Sequence, residues 1–101
     1  MIFAILLMDK PGTAELRKQH RPEHRAYLAK LSDRIAFSGP LTSEDGNTTV
    51  GSLLAIDFAS KADVEAWLKD EPFTKVGVYE KPIIHVFNNM WEQKVGFPPT
   101  K

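Results

Sequence analysis

The chain carries two histidines four residues apart in the stretch RKQHRPEHRAYL at residues 17–28, with a proline between them and three arginines around them. Histidine titrates near neutrality, so a partly buried one beside a carboxylate can move protons at cellular pH. We consider His24 the best candidate for such a group. The alternative is a core histidine whose ring is satisfied by a backbone carbonyl, which is the commoner situation.

The two histidines, together with His85, offer three imidazole groups of the kind that bind zinc in catalytic sites. The string HRPEH also fits the HxxEH pattern of one metalloprotease class. That pattern needs an unbroken helix to direct both rings at one metal, and Pro22 threatens the helical register. We therefore expect no metal site.

Three arginines, Arg17, Arg21 and Arg25, recur every four residues and would lie along one side of a continuous helix. Guanidinium groups in this arrangement can bind a carboxylate or a phenolate. No acidic residue stands three or four positions from any of them, so pairing within the helix does not account for them. Arg17 and Arg21 are candidates for substrate binding, whereas for Arg25 we favour a solvated helix face.

Polar residues also stand at the ends of the predicted strands. Asp9 ends the first strand, Ser38 ends the second and Ser52 begins the third. Strand-end geometry gathers such groups near one rim of a sheet, which is a common place for a ligand. Each of them can instead cap a local turn, and the Pro-Gly that follows Asp9 closely fits that alternative.

Composition restricts the classes of partner. The 101 residues include 13 basic and 13 acidic ones and no cysteine, so we expect a small-molecule partner, with neither nucleic acid nor membrane. Disulfides and thiolate chemistry are excluded. The opening run MIFAILLM is too short to span a bilayer and lacks the basic residues of a signal peptide, so we interpret it as a strand of a cytoplasmic protein.

The hydrophobic pattern predicts the order βαββαβ in one domain over residues 1–101. This is the ferredoxin-like motif, an α+β fold in which a four-stranded antiparallel sheet carries both helices on one face. The predicted elements are a strand at 1–8, a helix capped by Thr13 and kinked or restarted at Pro22, a strand at 35–38 stopped by Gly39 and Pro40, a strand at 51–59, a helix capped by Ser60, and a strand at 78–87 interrupted by Pro82.

The first strand is apolar at both its odd and its even positions, so both of its faces must be covered. The helices cover only one face of the sheet. The economical cover for the other is the same face of a second copy related by a two-fold axis. We therefore expect a homodimeric α/β barrel, with the tail at residues 88–101 and its Trp91 crossing onto the partner.

Four segments together resemble the YciI-like (YCII-related) family: RPEH, SGPL, GSLLAIDF, and EPF followed by VGVYEKP. The resemblance runs from Met1 to about Phe87 and implies a dimeric ferredoxin-like α/β barrel. It also implies a histidine and aspartate dyad, with His24 and Asp9 at those positions. The family tends to carry an Asp-Pro-aromatic step where this chain has Glu71 and Pro72, which leaves the role of that acid open and makes Pro72 a further candidate for substrate contact.

An activity that the resemblance implies is dehydrochlorination of a chlorinated hydroxyhydroquinone, and muconolactone isomerases resemble the same fold. Such reactions proceed by proton transfer without a cofactor. The resemblance thus implies a cofactor-independent lyase or isomerase that abstracts a proton from a hydroxylated aromatic or quinoid compound, chlorinated ones included. The alternative is a non-catalytic protein that binds a small ligand in the same pocket.

In the catalytic reading each candidate residue has one role. His24 is the base, and Asp9 fixes its tautomer and stabilises the imidazolium. A guanidinium group holds a phenolate oxygen, and a serine hydroxyl bonds the ring substituent that leaves or rotates. The residues proposed for these last two roles are Arg17 or Arg21 and Ser38 or Ser52.

Overall fold

The computed structural model describes residues 1–92 of the chain. Its four strands form one antiparallel sheet in the order β2-β3-β1-β4, which is the predicted ferredoxin-like arrangement. A short third helix that the pattern did not predict follows the second one. The elements in chain order are β1 (Ile2–Met8), α1 (Ala14–Ala29), β2 (Ile35–Thr42), β3 (Thr49–Asp57), α2 (Lys61–Lys69), α3 (Pro72–Lys75) and β4 (Ile83–Phe87).

The hydrophobic core lies between the helices and one face of the sheet. Phe3, Ile5 and Leu7 of β1 point into it and are almost fully buried, and they cluster with Leu28 of α1 and Val64 of α2. Alternate residues of a strand point to opposite faces, so the even-numbered residues of β1 lie on the other face. None of the helices within residues 1–92 has the length and apolar character needed to cross a membrane.

The second face of the sheet, which we call the open face, is also apolar. The strand registers place Phe37 of β2, Leu53 of β3 and Ile83 and Phe87 of β4 on the same side as Leu6 of β1. Phe37, Ile83 and Phe87 are each more than 40% exposed. The apolar character of this face agrees with the two-sided apolar pattern of the first strand. No element within residues 1–92 covers it.

Two predicted interruptions do not stop their elements. β2 continues through Gly39 and Pro40 to Thr42, because it is an edge strand that pairs only with β3, and a residue without an amide hydrogen is tolerated there. α1 runs as one assigned helix through Pro22. This continuity sets the direction of every α1 side chain relative to the sheet.

Two local details also differ from expectation. The Thr13 hydroxyl donates to the carbonyl of Lys10 at 2.8 Å and makes no cap bond to α1, whereas Ser60 caps α2 as predicted by accepting from the Asp63 amide at 3.2 Å. β4 begins only after Pro82, and Tyr79 forms an isolated bridge to the end of β1. Most of the predicted crossing tail, residues 93–101, lies outside the described residues.

Candidate functional site

A cavity of about 450 Å³ opens between α1 and strands β2 and β3. Its size suits a single-ring compound. Two predicted site residues, Asp9 and Pro72, are not among its lining residues. The lining residues are Arg17, Arg21, His24, Arg25, Leu28, Ala29, Ser32, Ile35, Ser38, Gly39, Pro40, Thr49, Ser52, Leu54 and Phe73.

His24 meets a buried acid at the wall of this cavity. Its Nδ1 contacts Oε1 of Glu71, whose side chain is completely buried, while that of His24 is 14% exposed. The second carboxylate oxygen of Glu71 accepts from the amide of Thr74 at 2.9 Å and from its hydroxyl at 3.2 Å, which caps α3. Glu71 therefore links the N-terminus of α3 to the middle of α1.

The Glu-Pro step explains how Glu71 reaches this position. A residue before proline is driven out of the helical region, and Glu71 has the extended values φ −67° and ψ 127° that suit an N-cap. Pro72 has the fixed φ that favours the first position of a helix. α2 therefore ends before the step, α3 begins after it, and the Glu71 side chain turns inward.

The contact determines which nitrogen of His24 is basic. An ionised carboxylate only accepts hydrogen bonds, so Nδ1 of His24 carries the proton donated to Glu71, and the neutral ring has its lone pair on Nε2. Nε2 has no hydrogen-bond partner within residues 1–92. Every fully buried side-chain nitrogen or oxygen in that part of the chain does have a partner, so Nε2 is accessible to a ligand in the cavity.

Aromatic packing holds the imidazole in this orientation. The rings of His24 and Phe73 stack with centroids 4.1 Å apart and an interplanar angle of 12°. Tyr79 meets the Phe73 ring edge-on at 5.9 Å, and the guanidinium carbon of Arg17 lies 4.9 Å from its centroid. Phe73 therefore connects the His24 pair with a second polar cluster around Arg17.

Arg17 is the centre of that cluster and is only 7% exposed. Its Nε donates to Asp9 at 2.7 Å, and its Nη2 donates to Asp9, the Gly51 carbonyl and the Ser52 hydroxyl at 3.2, 3.2 and 2.8 Å. Ser52 also shares a 3.0 Å hydrogen bond with Tyr79, and burial raises the pKa of Tyr79 to about 12, so this phenol stays protonated at neutral pH. Nη1 of Arg17 has no hydrogen-bond partner in the described part of the chain. Because every fully buried side-chain nitrogen or oxygen there has a partner, Nη1 is accessible to a ligand.

The observed pairing of acids and bases differs from the predicted one. Asp9 was expected to orient His24, but its carboxylate binds Arg17, and the acid on His24 is Glu71. Asp9 directly follows β1 and lies beside the first turns of α1, where Arg17 lies. His24 is two helical turns further along, about 10 Å down the axis. The end of β1 therefore meets Arg17 and not His24.

The other predicted groups are divided between two faces of the molecule. Arg21 and Ser38 line the cavity, whereas His20 bonds Glu23 at 2.8 Å on the surface of α1. His85 is paired with Ala4 on the open face. Within residues 1–92 no three histidine, cysteine or acidic side chains are grouped closely enough to hold a metal ion.

Sequence reasoning left the role of Glu71 open and assigned no role to Phe73 or Tyr79. The available signal for Glu71 and Phe73 was the Glu-Pro-aromatic step itself. For Tyr79 the alternation of the last strand gave no indication, because this residue precedes β4 and pairs with Asp9 in an isolated bridge.

Comparison with known proteins gives concordant relationships. A YCII-related domain model matches residues 1–88. Protein YciI of Escherichia coli O6:H1 is 31% identical over 98 residues, which cover 90% of this chain and 100% of that protein. An uncharacterized protein of Haemophilus influenzae is 28% identical with the same coverage of both chains.

A solved structure agrees with these relatives. The 5-chloro-2-hydroxyhydroquinone dehydrochlorinase TftG from Burkholderia phenoliruptrix, in complex with 2,5-dihydroxybenzoquinone, superposes with a TM-score of 0.80 at 30% identity, covering 87% of this chain and 94% of that one. From residue 1 to residue 88 the chain belongs to the YCII-related family.

Proposed function

We propose that the chain is a cytoplasmic, cofactor-independent lyase or isomerase that removes a proton from a hydroxylated aromatic or quinoid compound, chlorinated ones included. The observation that carries this proposal is the His24–Glu71 pair at the cavity wall, with Nε2 of His24 unpaired within residues 1–92. The similarity to a dehydrochlorinase solved with a dihydroxybenzoquinone supports the class of substrate.

In the proposed reaction Nε2 of His24 takes the proton, and the Glu71 carboxylate stabilises the imidazolium through Nδ1. With a chlorinated hydroxyhydroquinone, one ring hydroxyl loses its proton and the carbon that carries chlorine gains one, which gives the keto tautomer. Loss of a second hydroxyl proton to His24 then forms the second carbonyl and expels chloride with the electron pair of its bond to carbon. The net change is loss of HCl, which yields a hydroxybenzoquinone and needs no external oxidant. An isomerase would instead return the proton to another position of the substrate.

The remaining cavity groups bind the substrate. The accessible Nη1 of Arg17 donates to a phenolate or quinone oxygen, and Asp9 acts by holding that guanidinium in place. Ser38 has no side-chain hydrogen bond to residues 1–92 and is therefore better suited than Ser52 to bond the leaving substituent, because the Ser52 hydroxyl already serves Arg17 and Tyr79.

The direct test is anaerobic incubation of the protein with hydroxyhydroquinones and their chlorinated forms, since these compounds oxidise in air. We expect protein-dependent chloride release with a matching increase in quinone absorbance. A heat-denatured sample measures the spontaneous rate. Saturable binding without turnover across the panel would contradict the proposal and favour a ligand-binding protein.

We also propose that the open face joins two copies into a homodimeric α/β barrel. Its apolar side chains are exposed in the single chain, and the adjoining residues Met90 and Trp91 are 77% and 87% exposed. An apolar area of this kind usually marks an interface. A second copy presents a matching surface across a two-fold axis.

Introducing charge at the open face is expected to dissociate this dimer. Ile83→Glu removes one apolar side chain per copy and should weaken the dimer by about 100-fold or more in sedimentation experiments. Truncation after Asn88 should also weaken it, because Trp91 is lost. Ala62→Glu, at an exposed position of α2, is the control and should leave the dimer intact. A stable monomer of the unaltered chain at micromolar concentration would contradict the barrel.

A further inference from the structure

The cavity carries more positive charge than its buried acids offset. Within residues 1–92 its lining includes three arginines and no carboxylate. Asp9 lies behind the lining and pairs with Arg17, while Glu71 pairs with His24. No salt bridge in the described part of the chain involves Arg21 or Arg25. The two uncompensated cationic groups therefore belong to Arg21 and Arg25.

These two arginines lie at the mouth of the cavity. They are one helical turn apart on α1, which brings their side chains close together. Both are exposed, whereas Arg17 is buried and His24 is mostly buried. Arg21 and Arg25 therefore lie at the entrance of the cavity, His24 lies deeper, and Arg17 lies deepest.

The wall around these charges is largely apolar. Leu28, Ile35, Leu54 and Phe73 contribute to the lining together with Pro40. A planar ring is a suitable occupant of such a wall. Its reacting oxygen would lie towards Nη1 of Arg17, and a substituent on the far side of the ring would lie near the two unpaired guanidinium groups.

We infer that the ligand carries a carboxylate separate from its reacting oxygen, and that Arg21 and Arg25 bind it. Planar guanidinium groups match the two oxygens of a carboxylate and bind it more strongly than a neutral group of the same shape. The substrate class is then a hydroxylated aromatic or quinoid carboxylic acid. The ring and its reacting oxygen rest on the proposed function, whereas the charge requirement rests on the two arginines.

The test compares two ligands of nearly the same shape, of which only the first is charged, 3,4-dihydroxybenzoate and 3,4-dihydroxybenzamide, by calorimetric titration of the full chain. We expect the carboxylate to bind about tenfold more tightly. In the double variant Arg21→Gln, Arg25→Gln that preference should fall below about twofold, while the affinity for the amide is retained. The matched control, Lys18→Gln with Lys30→Gln, removes two charges from exposed residues outside the cavity lining and should keep the preference.

Three outcomes would overturn the inference: equal affinity for both ligands, a preference that survives in the double variant, or no binding of either ligand at millimolar concentration. The proposed function fails separately. Carboxylate-dependent binding without turnover of any carboxylated or neutral ring compound would overturn the function and support the inference. Turnover of a neutral chlorinated hydroxyhydroquinone at the same kcat/KM as its carboxylated analogue would overturn the inference and support the proposed function.

Discussion

Replacement of His24 by asparagine is expected to lower the rate of proton abstraction by about 100- to 10,000-fold, the usual contribution of one positioned general base. Asparagine retains part of the side-chain volume, and its amide can still donate to Glu71. The stacking on Phe73 is lost with the imidazole, but Glu71 keeps a hydrogen-bond donor, so circular dichroism and the sedimentation profile should match those of the unaltered chain. The measurement is kcat with a substrate that releases chloride or changes absorbance.

His20→Asn is the matched control for this prediction, since His20 lies one turn earlier on the same helix and bonds only the surface residue Glu23. Its rate should stay within about twofold of the unaltered chain, as for most surface changes. A near-normal rate for His24→Asn would disprove the assignment of the base.

Replacement of Glu71 by glutamine is expected to reduce kcat by about 100-fold or more, because it favours the wrong tautomer of His24. The glutamine carbonyl can still cap α3 by accepting from Thr74, so the local fold is preserved. Its amide then donates to Nδ1 of His24, which must accept, and the ring proton moves to Nε2. The nitrogen that faces the cavity is then no longer a base.

Three further variants test the specificity of this effect. Glu71→Asp keeps the charge, and it should lose less activity than Glu71→Gln. Glu80→Gln changes an exposed acid and should have no effect. Asp9→Asn should raise KM through Arg17 while leaving kcat within about twofold. If Glu71→Gln turned over substrate normally and Asp9→Asn lowered kcat by about 100-fold, the predicted His24–Asp9 pairing would be favoured again.

Local patterns predicted the elements that depend on local chemistry. Ser60 caps α2 as its residue type suggests, and β1 is apolar on both faces as its composition requires. The predicted end of β2 was wrong, because pairing with β3 outweighs the tendency of Gly39 and Pro40 to break a strand. Of the two alternatives predicted for Pro22, a restart of the helix was wrong, because α1 continues through this residue as one helix.

The same distinction applies to the site. Helical periodicity was enough to place Arg17, Arg21 and Arg25 on one side of α1, because residues four apart share a helix face whatever the rest of the chain does. It could not indicate which acid each base meets. Glu71 is 47 residues from His24, and it reaches the imidazole only because the Glu-Pro step ends α2 and α3 packs against α1. Asp9 is eight residues from Arg17, and it meets that residue because the β1–α1 connection directs the strand end to the start of the helix. The sequence by itself thus determined the chemical groups and the helix face that presents them, whereas the partner of each group depended on how separate elements pack, which only the tertiary structure decided.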